Sequence, residues 1–292
     1  MIRVGTCSWA DKSMVEAWYP ADVRSPEGLL RYYSEHFDTV EVDSTFYALP
    51  PARYAKNWVE RTPENFTFHV KAFAAMTGHR VKADRLPKDL KSHVDARGNP
   101  DADLVRESFA RFLEGIEPLR VSDKLGVVLL QFPPSFRATD RGELRGNLAW
   151  LYRAAELLEE TEAVVEFRHR SWFRDEVFRS TRKFLSRLDL GLVTVDEPQV
   201  GSDSIPTVVA PTSRVGYVRL HGRNTENWRA RVATAAERFR YRYDDEELVE
   251  LLAPIRDLAE ETEATYVMFN NCYADYAPEN ALTFSDLLRR RG

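Results

Sequence analysis

Ala163-Val164-Val165-Glu166-Phe167-Arg168 is the stretch that decides the fold. In a β-strand, residues two apart share a face, so Glu166 and Arg168 point one way while Val165 and Phe167 point the other. The same pattern recurs at Glu41/Asp43 beside Val40 and Val42, at His69/Lys71 beside Phe68 and Val70, and at Arg219/His221 beside Val218 and Leu220. Each strand must then bury an apolar face under something while its charged residues converge elsewhere. The mouth of a closed barrel meets both demands.

The rest of the chain supports that geometry. Strand-like runs occur at Ile2 to Ser8, Thr39 to Asp43, Phe66 to Lys71, Leu125 to Gln131, Ala163 to Arg168, Leu190 to Asp196, Tyr217 to His221 and Thr265 to Asn270. Between them, segments such as Leu148 to Glu159, Asp175 to Leu188 and Glu246 to Glu261 carry apolar residues at the three- and four-residue spacing of amphipathic helices. Strand–helix alternation implies a parallel sheet. Eight such units in 292 residues fit one α/β domain over the whole chain, a TIM-like (β/α)8 barrel, better than a doubly wound open sheet. Ala72 to Asp123, between strands three and four, is too long for a connection and is expected to be an insertion with a helix at Leu104 to Glu117. Gly201 to Gly216, before strand seven, is a second long segment.

Composition agrees with an ordinary globular domain: 43% of residues are hydrophobic and 30% charged. Met1-Ile2-Arg3-Val4-Gly5 enters a strand at once without the pattern of a signal peptide, and no apolar run approaches membrane-spanning length, so the expectation is a cytoplasmic protein that does not enter membranes. Cys7 and Cys272 make neither a disulfide framework nor a multi-cysteine zinc motif.

The formal net charge of −5 conceals a division along the chain. Arg219 to Arg242 carries +5, Phe167 to Lys183 carries +4 and the insertion stretch His79 to Arg97 carries +3, whereas Asp244 to Glu263 carries −8. In a barrel the basic segments would share the upper rim, where the field would favour anions. Trp9, Trp18, Tyr19, Phe46, Tyr47, Trp172, Phe173 and Trp228 fall on the same connections, suited either to stacking on sugars and bases or to packing loops onto the barrel.

Beyond these patterns, the segments VEVDSTFYALP (Val40 to Pro50), FTFHVKA (Phe66 to Ala72), LLQFPPSF (Leu129 to Phe136), VVEFRHRSWF (Val164 to Phe173), YVRLHGRN (Tyr217 to Asn224) and FNNCYADYAPENA (Phe269 to Ala281) resemble the YecE-like family, domain of unknown function seventy-two. The resemblance spans essentially the whole chain and implies a TIM-like barrel, with no established reaction. The chain differs from the family pattern at Asp43, where many members carry Asn, and at Cys272, where many carry His.

Chemistry must therefore be weighed from side chains. Glu41 and Glu166 are the candidate acid–base pair, because carboxylates in a partly dry mouth beside cations can be tuned in opposite directions. The competing expectation is a salt-bridge network with Lys71, Arg168 and Arg219. His69 and His221 are candidate catalytic residues and, with Glu41, Glu166 or Asp196, possible ligands of a divalent metal, although no His-x-His or His-Glu-x-x-His spacing is present. Lys71 is an ion-pair partner or, less readily, a Schiff-base amine. Arg168, Arg219 and Arg223 could clamp an anion; Asn270 and Asn271 could orient a hydroxyl or phosphate; Trp9, Trp172 and Trp228 could stack on a ligand. His221-Gly222-Arg223 could bring backbone to a phosphate. Together these predict an enzyme acting on an anionic, phosphate- or sugar-containing small molecule by hydrolysis or isomerisation. The alternative is a noncatalytic protein that binds single-stranded nucleic acid through its basic, aromatic rim.

Overall fold

The computed structural model describes residues 1–201, 204–228, 230, 232 and 234–290. Eight parallel strands pair in chain order and close on themselves: β1 (Ile2–Cys7), β2 (Thr39–Val42), β3 (Thr67–Lys71), β4 (Leu125–Gln131), β5 (Ala163–Glu166), β6 (Leu190–Asp196), β7 (Val215–Leu220) and β8 (Ala264–Phe269). Closure is made by β1 against β8, with Ile2 opposite Thr265 and Thr6 opposite Phe269. Across β2 and β3, Glu41 lies opposite His69, and across β4 and β5, Gln131 lies opposite Glu166. The charged pairs therefore enter one barrel rather than separate edges.

Alternation along the strands divides the apolar residues into two cores. Val40, Val42, Phe68, Val70, Val165, Phe167, Val218 and Leu220 all join the layer between strands and helices. Cys7, Val127, Leu129, Val164, Val193, Val195, Tyr217 and Met268 fill the barrel interior. Helices Asp175–Arg187 and Asp245–Glu260 cover the outside within a residue of the ranges expected, whereas Arg141–Leu157 begins seven residues before Leu148, where the Asp140 side chain caps its first turn. Helix Asp245–Glu260 begins with a capping box in which Asp244 and Glu247 satisfy each other's backbone N–H.

The insertion after β3 winds through short 3-10 turns at Ala74–Thr77, Ala83–Arg85 and Lys88–His93 before helix Ala102–Val121, which is longer than Leu104 to Glu117. Its extra first turn is capped by the Asp101 side chain on Leu104 N–H. No helix among the described residues is long and apolar enough to cross a membrane.

Candidate functional site at the C-terminal barrel mouth

The centre of the barrel top is one guanidinium held between two carboxylates. Arg219, on β7, is fully buried; its Nε and one terminal nitrogen donate to Glu41 at 3.0 and 2.7 Å, and the other terminal nitrogen donates to Glu166 at 2.6 Å. Tyr217, two residues earlier, donates its hydroxyl to Glu41 at 2.8 Å, and Cys7 Sγ accepts from Arg219 at 3.6 Å. Glu166 Oε1 accepts from the Gln131 amide at 2.8 Å and from Arg168 at 3.0 Å, with His221 Nε2 at 3.1 Å. Asn270 reaches the other ring nitrogen of His221 at 2.6 Å. The strand-end charges thus converge as the parity argument requires.

Burial without water forces each charge to depend on its neighbours. For Glu41, burial raises the pKa, Arg219 opposes it, and nearby Asp43 adds to the rise, leaving the carboxyl at about 7. Glu166 is equally buried, yet Arg219, His221 and Arg168 outweigh that burial and hold it well below the usual carboxylate range. His221 is driven down to about 3, chiefly by burial, so it is a neutral imidazole. Its Nε2 is shared between Glu166 Oε1 and the Arg168 guanidinium, each at 3.1 Å, while Nδ1 faces the Asn270 amide, so neither ring nitrogen lacks a partner.

Above this layer lies a cleft of about 550 Å3 whose lining includes Cys7, Asp43, Lys71, Gln131, Arg168 and Asn270. Lys71 Nζ stands 3.6 Å from Asp43 and over the Phe46 ring at 4.8 Å. Arg168 reaches Glu197 at 3.3 Å and stacks on Trp228 at 5.1 Å. His79, from the insertion, joins the same wall; burial first, then Lys71 and Arg168, press its pKa down to about 4. Ser8, also in the lining, has φ 118°, a strained conformation of the kind stored at ligand sites.

Several expected roles are corrected by this geometry. Arg219 cannot clamp a ligand, because it is 0% exposed and both sides of its fork are taken by Glu41 and Glu166. Arg223 is committed to Asp196 and Glu247, and Asp196 faces that pair and Tyr243 rather than the barrel axis. The Gly222 N–H, offered for phosphate, donates to Tyr243 at 2.8 Å. Asn271 is buried and tied to Tyr241 and Asn280. Trp9 packs edge-on against Trp58 and Phe68, and Trp172 lies stacked at 4.3 Å on Phe167 in the helix-facing core, so neither meets a ligand. His69 sits one layer below the network, ring against Tyr266 and Tyr217, with Nδ1 accepting from Val127 N–H and a pKa pressed to about 3 by burial.

A divalent metal does not fit either. Among the described residues no group of three or more His, Cys, Asp or Glu side chains is placed to hold an ion, and the space between the two buried carboxylates is filled by the guanidinium of Arg219. The rim is also less basic than a count of residues implies, since Arg223 and Arg242 are matched by carboxylates. Arg229 and Arg231, counted in the basic segment, lie outside the described residues.

Gln131, Tyr217 and Glu197 were not anticipated. The first two share strand parity with Leu129 and Arg219, so asking which neutral polar residues alternate with the charged ones would have found them. Glu197 lies just past β6, where no periodicity predicts its direction.

The family model described as a protein of unknown function, DUF72, matches residues 3–292. The chain belongs to the DUF72 family. The resemblance read from the motifs is thereby confirmed across the chain. This DUF72 chain is 33% identical to the UPF0759 protein YunF of Bacillus subtilis, over 99% of this chain and 95% of YunF. A crystal structure of a DUF72 family protein from Thermotoga maritima, 32% identical, matches with a TM-score of 0.79 over 99% of both chains. One from Enterococcus faecalis, 27% identical, matches with a TM-score of 0.81 over 99% of this chain and 96% of that one.

Proposed function

We propose that the protein is an enzyme that binds a small anionic, phosphate- or sugar-containing substrate in the barrel mouth and acts on it by acid–base hydrolysis or isomerisation. The observation that carries this reading is the opposite tuning of Glu41 and Glu166 beneath a cleft walled by Lys71 and Arg168. Two carboxyl groups pushed apart in pKa can serve as acid and base at one pH. Glu41, near 7, is partly protonated at neutral pH and would give its proton once substrate displaces one of the donors now on its oxygens; Glu166 stays ionised and accepts. A substrate hydroxyl that takes the place of the Gln131 amide at Glu166 Oε1 would bring its proton within reach of the base. Lys71 and Arg168 would then donate to the substrate from the cleft wall and draw its anionic group to the mouth.

Turnover of sugar phosphates, followed by NMR, tests the assignment. Glu41→Gln should retain ligand binding and lose turnover by about 10²-fold or more. Because Asp43 helps raise the Glu41 pKa, Asp43→Asn should keep the fold and move the alkaline fall in rate to lower pH. Undiminished turnover in Glu41→Gln would remove it from the chemistry. The noncatalytic nucleic-acid reading loses support from the burial of Trp9 and Trp172, which leaves Trp228 alone of the three tryptophans at the mouth.

A further inference from the structure

Beside the mouth, a separate basin of about 280 Å3 is formed by the insertion: Phe46, Tyr47 and Phe73 line it together with Arg80, Lys82 and Arg85. Phe46 and Tyr47 also line the mouth cleft, so the two hollows share a wall. Tyr47 is 54% exposed, unusual for so large a ring, and the Arg85 guanidinium stands 5.8 Å from its centroid.

The charge here is uncommitted in a way that the neighbouring charge is not. Arg111 and Arg106, in the helix that follows, pair with Glu107 and Asp103, and Arg111 also with Asp89. Arg80, Lys82 and Arg85 make no ion pair among the described residues, and Asp84 is the one carboxylate between His79 and Leu86. An exposed aromatic face beside several unmatched cations, at the rim of a cleft, is the chemistry that receives a planar ring and a phosphate together.

We propose that this basin is an outer subsite for a nucleotide, with the base against Tyr47, the phosphate held by Arg80, Lys82 and Arg85, and the sugar directed past Phe46 into the mouth. The inference rests on the mouth being a ligand site and narrows its substrate class to nucleoside phosphates.

Calorimetric titration with adenosine 5′-monophosphate, ribose 5-phosphate and inorganic phosphate tests it. Adenosine 5′-monophosphate should bind at least tenfold more tightly than ribose 5-phosphate, the size of loss expected when one base–aromatic stack is removed. Tyr47→Ala, at an exposed position, should erase that advantage with no change in melting temperature. Arg80→Ala combined with Arg85→Ala should weaken adenosine 5′-monophosphate binding about tenfold and flatten its salt dependence. Equal binding of the two esters, or an advantage that survives Tyr47→Ala, would overturn the subsite. Ribose 5-phosphate binding that ignores Arg168→Ala would instead count against the mouth, so the two failures are distinguishable.

Discussion

Arg219 is the residue on which the barrel top depends. It is buried with hydrogen bonds to Glu41, Glu166 and Cys7, and without it two buried carboxylates would face each other with no intervening cation. Breaking such a set by removing one partner costs about 3–5 kcal/mol. Arg219→Ala should therefore lower the unfolding free energy by that amount in denaturant titration. Arg219→Lys should recover little, because an ammonium cannot span both carboxylates with a planar fork. A near-wild-type midpoint for Arg219→Lys would show that charge, not geometry, is what the site requires.

At the scale of the strands, a missing side chain makes room for an imidazole. A Cβ on Gly126, in β4, would lie 2.4 Å from His69 Cε1 and 2.5 Å from Nδ1, so the histidine fits against β4 only because that position is glycine. Gly126→Ala should displace the ring and disturb its bond from Val127 N–H, costing roughly 1–3 kcal/mol as overpacking does. The double variant Gly126→Ala with His69→Ala should be less destabilised than the sum of its singles, since the clash with the ring needs both groups and only the contact with Thr67 Cγ2 at 2.8 Å then remains. Additive losses would place the cost elsewhere. At the capping box, Asp244→Ala should cost about 0.5–2 kcal/mol without altering ligand binding, because that helix start is distant in role from the cleft.

Across the whole molecule, the buried titratable groups set how stability responds to pH. His69 and His221 have folded pKa values of about 3 and His79 one of about 4, all below an unfolded value of about 6.5. The unfolded chain therefore takes up their protons first, and stability falls as pH drops below about 6.5. Glu41 acts oppositely: its folded value of about 7 lies above an unfolded value of about 4.3, so its contribution is complete at low pH and is lost as pH rises through about 7. Glu166, held low, contributes above about pH 4.3, and that contribution is lost as acid protonates it. These three histidines outweigh one glutamate between about pH 4.3 and 6.5. Unfolding free energy should thus decline with acid over that range, and Glu41→Gln should steepen the decline by deleting the opposing proton. A shallower slope in Glu41→Gln would contradict the raised pKa.

The architecture was legible in the sequence because its governing rule is local. Strand parity set Glu166 and Arg168 against Val165 and Phe167, and amphipathic spacing marked the helices between strands, so barrel, chain order and the convergence of Glu41, Glu166, Arg219 and His221 followed without coordinates. Whether a converging residue faces ligand or is consumed by a neighbour is not a local property. Arg168 and Arg219 look alike in sequence, each two residues from a charged or polar partner on an apolar run, yet Arg168 lies two residues past the end of β5 and stacks on Trp228 in the cleft wall, while Arg219 lies within β7 and is sealed beneath it. Trp9 and Trp172 follow strands as Trp228 does, but residues distant in sequence, Trp58 and Phe68 for one and Phe136 for the other, draw them into the core. Side-chain parity is fixed by the backbone of a single strand; exposure, pairing and pKa depend on partners that only closure of the barrel brings within reach.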